Sequence, residues 1–189
     1  MSFYIIHTKG TIPITHYHVV SIDPGIKNIA VRIELRNDDS IKTIFFKLID
    51  VSHTISPFTY LTEVMESIFE LFKDCNIVLI EQQIVKNHKV MRIAQHLLSY
   101  FITKFHILEK RPFIVEVNPK LKTIRMPSGS NNKKWSIEEA KRILEKGHDE
   151  DGLAVINSSK KKDDLSDTVC QINEFLSQAD DLLKQIKSI

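Results

Sequence analysis

Cysteine is scarce in this chain of 189 residues, which contains only Cys75 and Cys170. Two cysteines this far apart make neither a disulfide framework nor the close Cys-x-x-Cys pair of a thiolate zinc site. Long apolar runs are missing as well: no stretch approaches the roughly 18 residues of a membrane span, and the N-terminus has no signal-peptide pattern. We therefore expect a soluble, unsecreted protein from a reducing intracellular compartment.

Glycine is sparse too, and its distribution argues against several classes of enzyme. The five glycines are dispersed, so the chain has no Gly-rich loop of the kind that cradles the phosphates of a nucleotide. The Gly-x-Ser-x-Gly elbow of serine hydrolases is also absent. The eight histidines are scattered and do not form a His-Glu-x-x-His zinc motif. We expect no nucleotide cofactor and interpret the histidines as ordinary surface or core residues.

Positive charge is concentrated in the middle third of the chain. The formal net charge is only +2, but residues 83 to 134 hold eleven Lys or Arg residues against two Glu, a local balance of +9. The remainder carries 15 basic and 22 acidic residues, a balance of −7. Such a segment favours a polyanion such as nucleic acid, and a solvated basic face is the simpler alternative.

Hydrophobic periodicity predicts a single α/β domain over residues 1–189, with its core between about residues 18 and 186. Five strands are expected from β-branched or alternating apolar runs: His18 to Asp23, Asn28 to Glu34, Lys42 to Val51, Asn76 to Glu81, and Phe113 to Val117. The first three form a meander, and the fourth is apolar enough to be buried on both faces. Residues 1–15 form an N-terminal extension without an assigned role.

Four helices complete the predicted pattern. One begins at Ser56 and Pro57, one covers residues 86 to 105, and a capping box at Ser136 begins a third that ends at Gly147. Residues 121 to 134 and 148 to 162 are expected to form loops. The last helix has apolar residues at steps of four and three as far as Ile186, a repeat that either packs on the sheet or pairs with another subunit.

Four acidic residues stand where strands or helices meet loops. Asp23 ends the first strand, Glu81 ends the fourth, and Asp164 and Asp167 lie close together at the start of the last helix. Neighbouring strand ends of a mainly parallel sheet share one edge, so these acids can meet there. Carboxylates this close repel one another unless cations lie between them, and hard oxygen ligands suit Mg²⁺ or Mn²⁺. Two such ions about 4 Å apart promote phosphodiester hydrolysis.

Each acid also has a simpler interpretation. Asp23 precedes Pro-Gly and is equally explained as a turn residue. Asp163 and Asp164, each taken alone, are better explained as acids at a helix start that interact with the helix dipole. Asp167, taken alone, is better explained as part of a solvated helix face. Glu81 is the hardest to explain without a metal, because an acid that closes an apolar strand should lie near the buried edge of the sheet.

Three segments together resemble the RuvC-type Holliday junction resolvases, and among them the branch from poxviruses and other large DNA viruses. They are Ser21-Ile-Asp-Pro-Gly-Ile-Lys-Asn28, Leu79-Ile-Glu-Gln-Gln83 with Lys86 and Asn87, and Asp163-Asp-Leu-Ser-Asp167. The likeness spans roughly residues 18 to 175. It implies a ribonuclease H-like (RuvC-like) α/β fold with a mixed five-stranded sheet flanked by helices, and an endodeoxyribonuclease that resolves four-way junctions by paired symmetrical nicks.

The resemblance also implies a set of metal ligands for two Mg²⁺ ions per active site, with Mn²⁺ as a substitute. Asp23 would bridge the two ions and Glu81 would bind one of them. Asp164 and Asp167 would complete the other side of the site. Asp163 is the alternative to Asp164 as a ligand.

The family places lysines in the loop after the fifth strand, where Lys122 and Lys134 lie in this chain. Lys134 is the preferred catalytic candidate, because an ammonium there would neutralise the scissile phosphate or its developing charge. Some members carry an aromatic wedge three positions after the strand-end Glu, whereas this chain has Ile84, an aliphatic substitute. The predicted DNA contacts are Ile84, Lys86, Lys89, Arg92, Lys120, Lys122, Arg125 and Lys133.

The resemblance further implies a homodimer, since paired nicks need two active sites and a two-fold dimer suits a four-way junction. It implies activity where DNA is replicated, which is the cytoplasm for a poxvirus-like protein. Two alternatives stay open: another ribonuclease H-like nuclease that acts on flaps, loops or RNA-containing duplexes, and a non-catalytic nucleic-acid-binding module. Retention of all four acids argues against the second.

Overall fold

A mixed sheet of six strands forms the centre of the molecule. The computed structural model describes residues 4–8, 10, 15–83 and 86–178. The strands are β1 (Tyr4–Ile6), β2 (Tyr17–Asp23), β3 (Asn28–Arg36), β4 (Ile41–Asp50), β5 (Ile77–Glu81) and β6 (Phe113–Val117). Their order in the sheet is β1-β6-β5-β2-β3-β4. The predicted meander of β2, β3 and β4 is confirmed, since both of its strand pairs are antiparallel neighbours.

The middle of the sheet is parallel, and this determines where the strand ends lie. β2 pairs in parallel with β5, and β5 with β6. Ile22 lies opposite Ile80, so the next residues, Asp23 and Glu81, which end β2 and β5, lie at the same edge of the sheet. β5 is buried along its whole length, as its apolar sequence predicts. The parallel pairing therefore places two of the predicted site acids on neighbouring strand ends.

Helices cover both faces of the sheet. They are α1 (Pro57–Ser67), α2 (His88–Ile107), α3 (Asn132–Lys146), α4 (Glu150–Ser158) and α5 (Lys162–Ser177). On one face Val20 of β2 shares a core with Leu97 and Phe101 of α2. On the other face Val19 shares a core with Ile172 of α5. Consecutive residues of β2 thus enter different cores, as the pleat of a strand requires. None of these described helices has the length and apolarity needed to cross a membrane.

The last helix packs on the sheet over its described length. Leu165, Val169 and Ile172 of the predicted seven-residue repeat are all buried within the chain. Core packing is therefore confirmed for this part of the repeat. The repeat positions from Ala179 to Ile186 lie outside the described residues.

The sheet has one strand more than predicted. β1 pairs antiparallel with β6, with Ile5 opposite Glu116, and covers what would otherwise be an open edge of the sheet. The backbone amide of His7 continues this contact by donating to the carbonyl of Ile114 at 2.9 Å. The prediction of a five-stranded sheet was wrong because a three-residue strand is too short to show periodicity. Part of the N-terminal extension thus belongs to the sheet.

α3 begins earlier than predicted. Asn131 caps its first turn by accepting a hydrogen bond from the backbone amide of Lys134 at 3.1 Å. Ser136 lies inside the helix and is buried. The predicted capping box at Ser136 was wrong, because a local pattern cannot distinguish a cap from a serine whose hydroxyl has a partner on another helix. The end of the helix at Gly147 is confirmed.

α4 occupies a segment that was predicted to be a loop, and this prediction was wrong. The side chain of Asp149 caps the helix by accepting from the amide of Gly152 at 3.1 Å. The same carboxylate accepts from Arg32 Nη2 and from the Thr43 hydroxyl, each at 2.7 Å. Arg32 is fully buried and also pairs with Glu34 of β3. The helix depends on this buried tertiary network, which local periodicity does not reveal.

Candidate active site

Three carboxylates from distant parts of the chain converge on one lysine. Asp23 ends β2, Glu81 ends β5, and Asp167 lies near the start of α5. The Nζ atom of Lys122 lies 3.3 Å from Asp23 Oδ2, 2.6 Å from Glu81 Oε2 and 2.5 Å from Asp167 Oδ2. The structure thus brings together three of the four predicted acids. Their catalytic and metal-binding roles stay predictions.

Lys122 comes from a short 3-10 turn, Leu121–Thr123, within the segment predicted to be a loop. Leu121 is buried in the core, and the side chain of Lys122 is only 15% exposed. Lys134, the preferred candidate from sequence, has a side chain that is 78% exposed, with Nζ 3.8 Å from Glu138 Oε1. In this structure Lys122 therefore lies among the carboxylates and Lys134 does not. The apolar Leu121 beside it was the available sequence signal for a buried turn.

Burial and mutual repulsion change the acidity of this cluster. Desolvation, and after it the charge of Glu81, raises the pKa of Asp23 well above its ordinary value. Desolvation also raises the pKa of Glu81, against the opposing effect of the Lys122 ammonium. Burial alone would lower the pKa of Lys122, but the surrounding carboxylates hold it well above its usual range. The lysine therefore stays protonated and acts as the counterion of the cluster.

Asp167 has a second partner, which the sequence analysis missed. The hydroxyl of Ser136 in α3 donates to Asp167 Oδ1 at 2.5 Å, whereas Lys122 lies at Oδ2. The two residues lie on different helices, so no local spacing connects them. Only the packing of α3 against α5 brings Ser136 into the site.

Asp163 and Asp164 lie with Asp167 in an open cleft of about 390 Å³. The cleft is lined by Pro119, Lys120, Lys122, Thr123, Asn132, Lys133, Asp163, Asp164 and Asp167. Burial alone would raise the pKa of Asp163, but a hydrogen bond from Lys133 Nζ at 2.6 Å lowers it. Burial, and then the charge of Asp163, raises the pKa of Asp164. Both acids line the same cleft, so Asp164 stays the predicted ligand and Asp163 its alternative.

Most of the predicted DNA contacts are exposed basic residues. Exposed side chains are those of Lys86, Lys89, Arg92, Lys120, Arg125 and Lys133. The guanidinium of Arg92 lies 5.2 Å from the ring centre of Phe58, and Arg125 Nε lies 3.0 Å from Glu174 Oε2. Lys122 differs from this group because it is directed into the carboxylate cluster. The predicted wedge, Ile84, lies outside the described residues.

The donor set of the cluster fits a hard divalent cation. Carboxylate oxygens are the ligands that Mg²⁺ and Mn²⁺ prefer, and three of these groups already surround one positive charge, that of Lys122. Within the part of the chain that the structure describes, no three Asp, Glu, His or Cys side chains are spaced to hold an ion as they stand. The Lys122 ammonium lies between the carboxylates, so a divalent ion would have to replace it.

The fold is that of the RuvC-type resolvases. The yeast mitochondrial Holliday junction resolvase Ydc2 is similar with a TM-score of 0.65 at 17% identity, over 91% of this chain and 86% of that chain. The Thermus thermophilus RuvC structure has a TM-score of 0.58 at 10% identity, over 85% and 96% of the two chains. Fowlpox virus resolvase, in complex with Holliday junction DNA, has a TM-score of 0.57 at 22% identity, over 88% of this chain and 99% of that chain. The predicted RuvC-like fold is confirmed.

Sequence comparison then identifies the family. A model of the poxvirus A22 protein family matches residues 18–177, and the chain belongs to this family. Uncharacterized protein 97L of Invertebrate iridescent virus 3 is 30% identical over 120 residues, which are 61% of this chain and 55% of the relative. Uncharacterized protein 170L of Invertebrate iridescent virus 6 is 32% identical over 124 residues, 53% of this chain and 50% of the relative. The chain spans about half the length of these relatives. The predicted likeness to the poxvirus and large DNA virus branch is confirmed.

Proposed function

We propose that this protein is a structure-selective endonuclease that resolves four-way (Holliday) DNA junctions by hydrolysing phosphodiester bonds. The observation that carries the proposal is the convergence of Asp23, Glu81 and Asp167 on one cation at the edge of a RuvC-like sheet. Membership of the poxvirus A22 protein family supports it. Two structural neighbours, Thermus thermophilus RuvC and fowlpox virus resolvase, are known in complexes with Holliday junctions, which supports the choice of substrate.

The proposed cofactor is Mg²⁺, with Mn²⁺ as a substitute and two ions per active site. Asp23, Glu81, Asp164 and Asp167 would hold the ions through carboxylate oxygens. Bound cations would activate the attacking water and stabilise the leaving oxygen of the phosphodiester. The raised pKa values of Asp23 and Glu81 mean that divalent ions compete at these groups with protons as well as with Lys122.

Lys122 is proposed to supply positive charge at the scissile phosphate. It lines the cleft, and once its carboxylate partners are engaged by divalent cations its ammonium is available to a phosphate oxygen. An ammonium so placed stabilises the charge that develops on the phosphate. Lys134 stays the sequence-based candidate for the same role, since α3, the helix that carries it, also carries the cleft residue Lys133.

The exposed basic residues are proposed to bind the DNA backbone. They include the cleft residues Lys120 and Lys133, and the group of Lys86, just before α2, with Lys89 and Arg92 in the first turns of α2. Phosphate contacts position a duplex without reporting its sequence, so we propose recognition of junction shape with strong dependence on salt concentration.

Paired nicks require two active sites, and we propose that a two-fold homodimer supplies them. Each protomer would then cut one of two symmetry-related strands. The proposed location is the site of viral DNA replication, which is cytoplasmic for proteins of poxvirus type.

The test is cleavage of a labelled four-way junction and of a linear duplex, with Mg²⁺ or EDTA, by the wild type and two matched variants. Glu81→Gln removes a proposed ligand. Glu116→Gln is the control, because both glutamates are 7% exposed and lie on neighbouring parallel strands, but Glu116 pairs with His7 at 2.9 Å. Both variants remove one buried strand carboxylate.

We expect paired nicks in the junction from the wild type and from Glu116→Gln, and none in EDTA. Glu81→Gln should lower the rate by about 100-fold or more while junction binding persists, since even outer-shell partners of a metal are worth about 10 to 100-fold. Binding without cleavage by the wild type would favour the non-catalytic module. Cleavage of both substrates alike would favour a broader ribonuclease H-like nuclease.

A further inference from the structure

Ser136 is a buried polar residue that the proposed chemistry does not yet use. It lies inside α3 and is only 2% exposed. Its hydroxyl donates to Asp167 Oδ1 at 2.5 Å, and its carbonyl accepts a weak contact from Cys170 Sγ at 3.7 Å. Asp167 and Cys170 both belong to α5. The side chain of Ser136 therefore contacts a proposed metal ligand, while its backbone contacts the helix that carries this ligand.

The contact restrains a carboxylate that would otherwise turn. The terminal torsion of an aspartate is broad and roughly two-fold, so packing of the Cβ atom alone does not decide which way the two oxygens face. Ser136 occupies Oδ1, and Lys122 Nζ lies 2.5 Å from Oδ2. With Oδ1 held from α3, Oδ2 is the oxygen that faces Asp23 and Glu81 across the Lys122 ammonium.

We propose that Ser136 is a positioning residue for Asp167, which orients this carboxylate toward the cation site before a divalent ion binds. The inference rests on the proposed function, because it takes Asp167 to be a ligand. Ser136 itself acts only through Asp167. Outer-shell hydrogen bonds to ligating carboxylates act in this way in metal sites generally.

A role in packing alone predicts a different result, and the chain offers a matched control. Ser166 is also a fully buried serine on a helix, and it directly precedes Asp167. Its hydroxyl is without a hydrogen-bond partner among the described residues. Ser136→Ala and Ser166→Ala thus each delete one buried hydroxyl beside the same aspartate, but only the first removes a contact to the carboxylate. Alanine also keeps both helices intact, since it is the strongest helix former.

The experiment is a calorimetric titration of the full chain with Mn²⁺ in the absence of DNA. Thermal unfolding in EDTA checks that each variant is folded before the titration. Ser136→Ala should weaken Mn²⁺ binding by about tenfold or more, the usual effect of losing an outer-shell partner. Ser166→Ala should bind Mn²⁺ as the wild type does. Ser136→Thr, which keeps the hydroxyl, should recover most of the affinity.

Equal Mn²⁺ affinity of the wild type and Ser136→Ala would overturn the inference and leave the proposed function standing. A loss of affinity that Ser166→Ala shares in full would also overturn it, because the effect would then come from the packing of α5. If the wild type binds no Mn²⁺ at all, the proposed metal-dependent function fails, and the positioning role fails with it.

Discussion

Replacing Lys122 by methionine should destabilise the metal-free protein. The ammonium is the counterion of Asp23, Glu81 and Asp167, and all four side chains are largely buried. Removing one partner of a buried ion pair costs about 3–5 kcal/mol, because the other charge stays buried without compensation. Because Asp23 and Asp167 are partly exposed, we expect a loss of stability at the lower end of this range, about 3 kcal/mol.

A loss of about 3 kcal/mol lowers the Tm of a domain of this size by about 6–12 °C, since each kcal/mol is worth about 2–4 °C. The measurement is thermal unfolding in EDTA of the wild type, Lys122→Met and Lys120→Met. Lys120 is the control, because it lies in the same connection and its side chain is exposed. Its substitution should change stability by no more than about 0.5 kcal/mol.

The same scans with saturating Mg²⁺ or Mn²⁺ separate this account from simple loss of packing. A divalent ion that binds only the folded state stabilises it by mass action, and Lys122→Met no longer opposes that ion with its own charge. The added ion should therefore raise the Tm of Lys122→Met more than that of the wild type. The reasoning is refuted if Lys122→Met unfolds in EDTA at the same temperature as Lys120→Met.

Two further predictions concern pH and the buried network beside α4. In EDTA, the contribution of Asp23 and Glu81 to the free energy of unfolding should fall as pH rises through their raised pKa values, because these groups hold protons more tightly in the folded state. That contribution is complete below the ordinary values of 3.8 and 4.5. Urea unfolding from about pH 4 to about pH 8 checks this, and a curve for Glu81→Gln no flatter than that of the wild type would contradict it. Asp149→Ala should cost about 3 kcal/mol or more, because Arg32 loses a buried partner and α4 loses its cap. Asp151→Ala, on an exposed position of the same helix, is its control in urea unfolding, and equal losses in the two variants would argue against the network.

Local sequence predicts well both the strands and the acids at their ends. Asp23 and Glu81 close apolar runs, and a run that ends in an acid shows where the strand leaves the core. The meander of the first three predicted strands and the burial of the fourth are also predicted locally, and the structure confirms both. The start of α1 at Ser56 and Pro57 is likewise local, because a cap and an N-terminal proline act within one turn.

Local sequence did not predict that Lys122 and Ser136 lie beside these acids. Lys122 and Lys134 both follow the fifth predicted strand, and the apolar Leu121 before Lys122 is the one local signal that bears on which of them faces inward. The structure decides it through the 3-10 turn, whose Leu121 enters the core and leaves Lys122 beside the strand ends. Ser136 matched a capping box by its neighbours, yet its hydroxyl has its partner, Asp167, on another helix.

The sequence by itself thus determined five of the six strands, most of the helices, the acids at the strand ends and the family to which the chain is related, because each is encoded in short-range pattern and spacing. Tertiary structure alone decided that β1 joins the sheet, that Arg32 and Thr43 hold Asp149 at the start of α4, and that Lys122 and Ser136 meet the carboxylates of the site. The physical reason is common to these features: each depends on a hydrogen bond or ion pair between segments far apart in the chain, and such contacts form only once both segments are packed on the same core.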